Sequence, residues 1–285
     1  MFFAVLVRRI GAGMNNAPIG VFDSGVGGLT VVREIMEQLP NEKIVYFGDT
    51  ARVPYGNKSA DTVIRYSEQI VRFLLSKGAK TIVIACNTAS AYALEAVKKQ
   101  FSVPILGVVK PGAKAAAEAT KNGKIGVIAT EATIRSGIYH EFLKKTDPQV
   151  TVYGKACPLF VPLVEEGWVE NDEITEAVAR RYLQELCNVE IDSLVLGCTH
   201  YPMLRPVIQK IVGNGVCLVN PAVETARELK YLLEEEHLLC EKKAPEHEFY
   251  VSDGAERFRQ FAASILPAGV LRPENLRVET FEERP

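Results

Sequence analysis

Thr81-Ile-Val-Ile-Ala-Cys86-Asn87-Thr88-Ala89 and Ser193-Leu-Val-Leu-Gly-Cys198-Thr199-His200-Tyr201 follow one plan: an apolar run, a cysteine closing it, then small polar residues and the start of a helical pattern. Four apolar residues in succession suit a strand covered on both faces, and such strands build parallel sheets. Ligands of parallel α/β sheets bind beyond the carboxyl ends of the strands, so both thiols are predicted at the mouth of a sheet.

The two stretches belong to a longer repeat. Ile19-Gly20-Val21 is matched by Ile125-Gly126-Val127, Cys86 by Cys198, and Val103-Pro-Ile-Leu-Gly by Val216-Cys-Leu-Val-Asn-Pro221, at offsets of 106, 112 and 113 residues. Offsets so nearly constant indicate a duplicated half. The predicted fold is α/β: two pseudo-symmetric three-layer α/β lobes with mainly parallel sheets and the active site in the cleft between them. Strands expected at 248–252 and 276–280 have no room in the second half-repeat and are assigned to the first lobe. The expected domains are therefore 18–112 plus 222–285 as a discontinuous first lobe, 113–221 as the second, and 1–17 as an N-terminal extension.

Between these landmarks lie further strands at 43–47 and 150–155, and Val103–Val109 reads as one more, with Lys110-Pro-Gly as the break before the repeat. Helices are expected over 29–38, from Ser59 to Gly78, and over 89–100, 172–186, 221–239 and 255–265. Ser59 suits an N-cap, and Gly78 a C-terminal stop.

At 285 residues and 47% apolar content, the chain can supply a core for two domains of ordinary size. A net charge of -2 with interspersed acids and bases offers no basic stripe for a phosphate backbone, so no nucleic acid partner is expected. No apolar run reaches the length of a membrane span, and in the segment Phe2–Val7 the charges Arg8 and Arg9 follow the apolar part, which is the wrong order for a signal peptide. A cytoplasmic protein without membrane association is the expectation, with residues 1–13 dispensable. Six cysteines without any C-x-x-C argue for reduced thiols, and Cys198-Thr-His200 is half of a metal pair lacking its second half, so no metal site is read.

Asp23-Ser24-Gly25-Val-Gly27-Gly28 follows the first strand and opens a helix. It falls short of the dinucleotide fingerprint G-x-G-x-x-G, because Thr30 stands where the last glycine belongs. Such a turn lets backbone approach a small ligand, and its amides can hold a carboxylate. Thiols from two related lobes could approach one ligand from opposite faces. A thiol has a pKa near about 8.5, which falls toward neutrality at a helix N-terminus beside polar donors. Asp23 and His200 are suitable partners in proton transfer. Each residue also has a plainer reading: the cysteines as small buried hydrophobes, Asp23 as a helix cap, His200 as a structural histidine, Glu165-Glu166 as a solvated helix end, Pro54-Tyr55-Gly56 as a turn. Cys157, Cys187, Cys217 and Cys240 keep that plainer reading.

Five motifs, Asp23-Ser-Gly-Val-Gly-Gly, Val53-Pro-Tyr-Gly56, Ala85-Cys-Asn-Thr-Ala89, Pro158-Leu-Phe-Val-Pro-Leu-Val-Glu165 and Leu196-Gly-Cys-Thr-His-Tyr-Pro202, stand together in an order and spacing that resemble the glutamate racemases, over roughly residues 18 to 270. The resemblance implies cofactor-independent interconversion of L- and D-glutamate, supplying D-glutamate for peptidoglycan, by a homodimer. It implies Cys86 and Cys198 as the two acid/base thiols, the first serving D-glutamate and the second L-glutamate, with Asp23, Glu165 and His200 assisting. Ser24, Tyr55, Gly56, Asn87, Thr88, Thr133 and Thr199 fall on positions that hold the substrate's carboxylates and amine. Aspartate or hydantoin racemases, a two-lobed amino-acid-binding protein and a thiol hydrolase are the alternatives.

Overall fold

In the computed structural model, which describes residues 15–242 and 246–281, four strands β1 (Ile19–Asp23), β2 (Ile44–Gly48), β3 (Thr81–Ile84) and β4 (Ile105–Gly107) run in the order β2-β1-β3-β4. Four more, β5 (Lys124–Ala129), β6 (Thr151–Ala156), β7 (Ser193–Gly197) and β8 (Cys217–Val219), form a second sheet in the corresponding order β6-β5-β7-β8. β9 (Glu248–Val251) and β10 (Leu276–Val278) extend the first sheet beyond β2, and every pairing in both sheets is parallel. Helices cover the faces, so the central strands are buried throughout and read as continuous apolar runs. Residues 1–14, most of the expected N-terminal extension, lie outside the described residues. Among the described residues no helix is long and apolar enough to cross a membrane.

Packing accounts for the repeat. A Cβ on Gly20 would lie 2.7 Å from Ile82 Cδ1, 3.1 Å from Ala79 Cβ and 3.2 Å from Leu74 Cβ. A Cβ on Gly126 would lie 2.7 Å from Ile191 Cδ1, 2.9 Å from Leu194 Cδ1 and 3.6 Å from Leu186 Cδ1. Leu74, Ala79 and Ile82 stand to Leu186, Ile191 and Leu194 at the spacing that separates Cys86 from Cys198. In each lobe one helix, Ala60–Ser76 or Glu173–Asn188, thus feeds a strand that presses a large side chain onto the neighbouring strand's glycine. Both helices are stopped at their N-termini by side chains: Ser59 Oγ accepts from Thr62 N and Asp172 Oδ1 from Thr175 N.

One expectation fails. Val103–Val109 is not a single strand: β4 covers only Ile105–Gly107, and a helix, Val109–Ala119, begins where a break was read. Proline is tolerated in a first helical turn, where its missing N–H has no partner in any case, so Pro111 does not end that helix. Gly112 is there because Pro221, at the start of the helix Pro221–Glu235, packs within 2.9 Å of where a Cβ would be.

Strand order reverses between β1 and β3 in one sheet and between β5 and β7 in the other, and the carboxyl ends at such reversals frame ligand sites. The two mouths face each other. Tyr139 OH donates to Asn87 Oδ1 across the gap at 2.7 Å, and Thr88 Oγ1 meets Thr130 Oγ1 at 3.0 Å.

Candidate active site

Between the two mouths lies a cavity of about 260 Å3, at the lower edge of the roughly 300–1,000 Å3 range usual for small-molecule sites. Cys86 lines it from one side and Cys198 from the other. Ser24, Tyr55, Gly56, Asn87 and Thr88 join the first side, and Glu165, Thr199 and His200 the second. Two expected site residues stand one layer back: Asp23 is wholly buried behind Ser24 and Gly25, and Thr133 behind Thr88 and Thr130.

On the first side the chain passes from β3 through Ala85 and Cys86 directly into the helix Asn87–Gln100, and Cys86 is its N-cap, the sulfur accepting from Ala89 N at 3.4 Å. Ser24 Oγ lies 3.7 Å from the same sulfur. A thiol so placed was expected to fall toward neutrality. Burial instead pushes it up to about 12, the negative field of Asp23 adding to the effect and the donors of Ala89 and Ser24 opposing it only in part. Asp23 Oδ2 accepts from Gly25 N at 3.0 Å, whereas Oδ1 has no hydrogen-bond partner among the described residues. Burial raises the Asp23 carboxyl above the usual carboxylate range, against the pull of His200 and the amides of Gly28, Gly25 and Ser24.

The second side is built differently. β7 is followed not by a helix at the cysteine but by a 3-10 turn, Tyr201–Leu204, with Pro202 at its start, and only then by the helix Arg205–Val212. Cys198 therefore caps nothing; its sulfur meets His200 Nδ1 at 3.8 Å, and His200 Nε2 meets Glu165 Oε1 at 3.1 Å. Burial alone would lower the imidazole, but its contacts with Cys198 and Glu165 outweigh burial and raise it to about 10. Glu165 is held below the usual carboxylate range, chiefly by its bond to His200 and further by Arg257. Arg257, on the first-lobe helix Ala255–Ala262, reaches Glu165 at 3.6 Å and the exposed Glu166 at 3.7 Å. Glu165 and Glu166 thus have unlike surroundings, and a solvated helix end describes only the second.

Side chains of the second lobe pack directly onto the backbone of the glycine-rich turn. A Cβ on Gly27 would fall 2.3 Å from Thr199 Oγ1 and 2.6 Å from both Cε1 and Nδ1 of His200. Gly28 has Asp23 Cβ at 2.4 Å from the same hypothetical atom. The loop that carries Tyr55 and Gly56 is anchored from below: buried Asp49, just after β2, accepts from Arg52 Nε at 2.8 and 2.9 Å, from Ser252 Oγ at 2.9 Å and from the Tyr55 hydroxyl.

Sequence reasoning missed Thr130, which lines the cavity and caps the helix Glu131–Ser136 through Thr133 N. The signal was available, because the offset of 106 that carries Gly20 onto Gly126 carries Ser24 onto Thr130. Val53, Pro158, Val161 and Pro162 form apolar wall with no polar signature to find them by.

Residues 19–229 match the family model described as Asp/Glu/Hydantoin racemase. The glutamate racemase of Geobacter metallireducens is 50% identical over 258 residues, 90% of this chain and 91% of that protein, and that of Lactococcus lactis subsp. lactis is 46% identical over 271 residues, 95% and 99% respectively. Among solved structures, the glutamate racemase of Francisella tularensis in complex with D-glutamate is similar with a TM-score of 0.86 and 41% identity, covering 93% of this chain and 98% of that one.

Proposed function

Since the chain belongs to the aspartate/glutamate/hydantoin racemase family and is a racemase, an isomerase, we propose that it interconverts L- and D-glutamate without a cofactor by proton transfer between two thiols. The observation that carries this reading is the placement of Cys86 and Cys198 at matched strand ends on opposite walls of one small cavity. The D-glutamate held by the similar Francisella protein supports glutamate as the substrate.

Racemisation removes the proton on the carbon beside a carboxylate and returns one on the other face. A single base would have to cross the substrate to do both, whereas two facing groups need no such movement. The surroundings divide the work. The Cys86 thiol, pushed up to about 12, carries the proton it delivers when D-glutamate forms. Cys198 takes the proton of L-glutamate, with the His200 imidazolium at its sulfur and Glu165 orienting the ring. The reverse reaction exchanges the roles.

The carbanion formed in between spreads charge into its carboxylate, and fixed donors in a dry site stabilise such charge without reorganising. Asn87, Thr88 and Thr199, with Ser24, Tyr55 and Gly56, supply donors around the cavity, and Thr133 steadies Thr88 from behind. Asp23, with an oxygen that has no hydrogen-bond partner among the described residues and a raised pKa, assists at the Cys86 side. The D-glutamate so made serves peptidoglycan synthesis.

The test is racemisation in deuterated water, beside a substrate comparison of glutamate with aspartate. Early in the reaction deuterium is expected almost wholly in the product enantiomer. Comparable labelling of recovered substrate points to one base and defeats the two-thiol scheme.

A further inference from the structure

The glycine-rich turn carries threonine where a dinucleotide-binding turn would carry its last glycine, and nothing in the proposed chemistry uses that residue. Thr30 is buried, and its hydroxyl lies 2.9 Å from Gly27 O and 3.0 Å from Thr199 O. Its single proton is thus shared between a carbonyl of its own turn and a carbonyl of the other lobe. The turn that holds it is itself fixed, Thr30 N donating to Gly27 O and Val31 N to Gly28 O, both at 3.0 Å. The same few residues pack the lobes tightly, with Gly27 admitting the Thr199 hydroxyl and the His200 ring. Thr199 sits between Cys198 and His200, so whatever fixes its carbonyl fixes the segment on which both chemical groups ride.

We infer that Thr30 is a positioning residue for one half of the reaction: its hydroxyl holds Cys198-Thr199-His200 in register with the glycine turn, and through it with the substrate. The inference rests on the two-thiol reading above. Cys86 hangs on a different support, the helix Asn87–Gln100, and does not depend on this bond. Losing the hydroxyl leaves a buried carbonyl short of a donor, and the segment shifts to find another.

Thr30→Val keeps the shape and removes the donor, while Thr30→Ser keeps the donor. Valine is expected to lower kcat/KM roughly 10- to 100-fold, the scale of a small misplacement of a reacting group, and by the same factor from either enantiomer because their equilibrium constant is one. Serine is expected to stay within about twofold of the parent. Primary isotope effects separate positioning from general damage. With α-deuterated L-glutamate, whose proton goes to Cys198, the effect on kcat/KM rises in Thr30→Val; with α-deuterated D-glutamate it falls. If valine prevents folding, Thr30→Ala gives the same comparison. An unchanged ratio of the two isotope effects, full activity in the valine variant, or equal loss in valine and serine variants overturns the inference. A parent protein that fails to racemise glutamate overturns the reading beneath it, and a folded, active parent separates the two failures.

Discussion

Nε2 of His200 lies 3.1 Å from Oε1 of Glu165, a contact made across 35 residues of chain that ties the second thiol's neighbour to a carboxylate on a separate helix. The imidazole is held charged to about 10, well above its ordinary 6.5. The basic limb of the pH–rate profile is therefore expected near that value. Glu165→Gln removes an interaction that favours the imidazolium, so the limb should move to lower pH while the acidic limb stays. An unmoved basic limb would separate His200 from the rate.

The same pair makes a statement about stability. A raised imidazole pKa contributes stabilisation that is complete below 6.5 and fades as pH rises through about 10. His200→Asn should therefore cost most in denaturant unfolding near neutral or mildly acid pH and progressively less toward pH 10. A cost independent of pH would mean that packing alone, and not charge, is lost.

Cys86→Ala and Cys198→Ala should each abolish racemisation, a loss of at least about 10²- to 10⁴-fold if each thiol acts as acid and base. Both variants should keep the fold, because each removes one small atom from the wall of a cavity. Circular dichroism and thermal unfolding check the second point, and a coupled assay for D-glutamate the first.

Gly27→Ala should separate the lobes. The added methyl meets Thr199 Oγ1 at 2.3 Å and the His200 ring at 2.6 Å, closer than real Cβ contacts, so the Thr199 and His200 side chains are expected to be displaced, and the second lobe with them. Activity is expected to fall to background at a stability cost of about 1–3 kcal/mol, typical of overpacking. A crystal structure of the variant with His200 unmoved would contradict this.

Gly20→Ala and Gly126→Ala form a matched pair far from the chemistry. Each forces a methyl to within 2.7 Å of an isoleucine Cδ1, and each should cost about 1–3 kcal/mol in urea unfolding with KM unchanged. A large difference between them would argue that the two lobes do not pack by one rule.

Much of the architecture was legible because the signals were local: apolar runs ending at Asp23, Cys86 and Cys198 suit buried parallel strands, and the Ile-Gly-Val repeat records how close the neighbouring strand's large side chains come. Other features depended on contacts that spacing does not carry. The helix Val109–Ala119 was hidden because Pro111 and Gly112 look like a break, though one suits a first turn and the other fits against Pro221. The thiol environments were unreadable for a related reason: both cysteines close the same motif, but only Cys86 caps a helix, and the desolvation that keeps its proton on depends on the whole fold. Thr130 was legible in principle, through the offset, and was overlooked because its strand ends without an acid.

The chain passes between the sheets twice, once after β4 and once after β8, and Gly112 packs against Pro221 where those crossings run side by side. Two bodies joined at neighbouring points are spaced by their own covalent path along that edge. The facing of one set of strand ends toward the other is thus written into where the polypeptide changes sheets, and Gly112 against Pro221 is the contact that lets the two crossings lie flush.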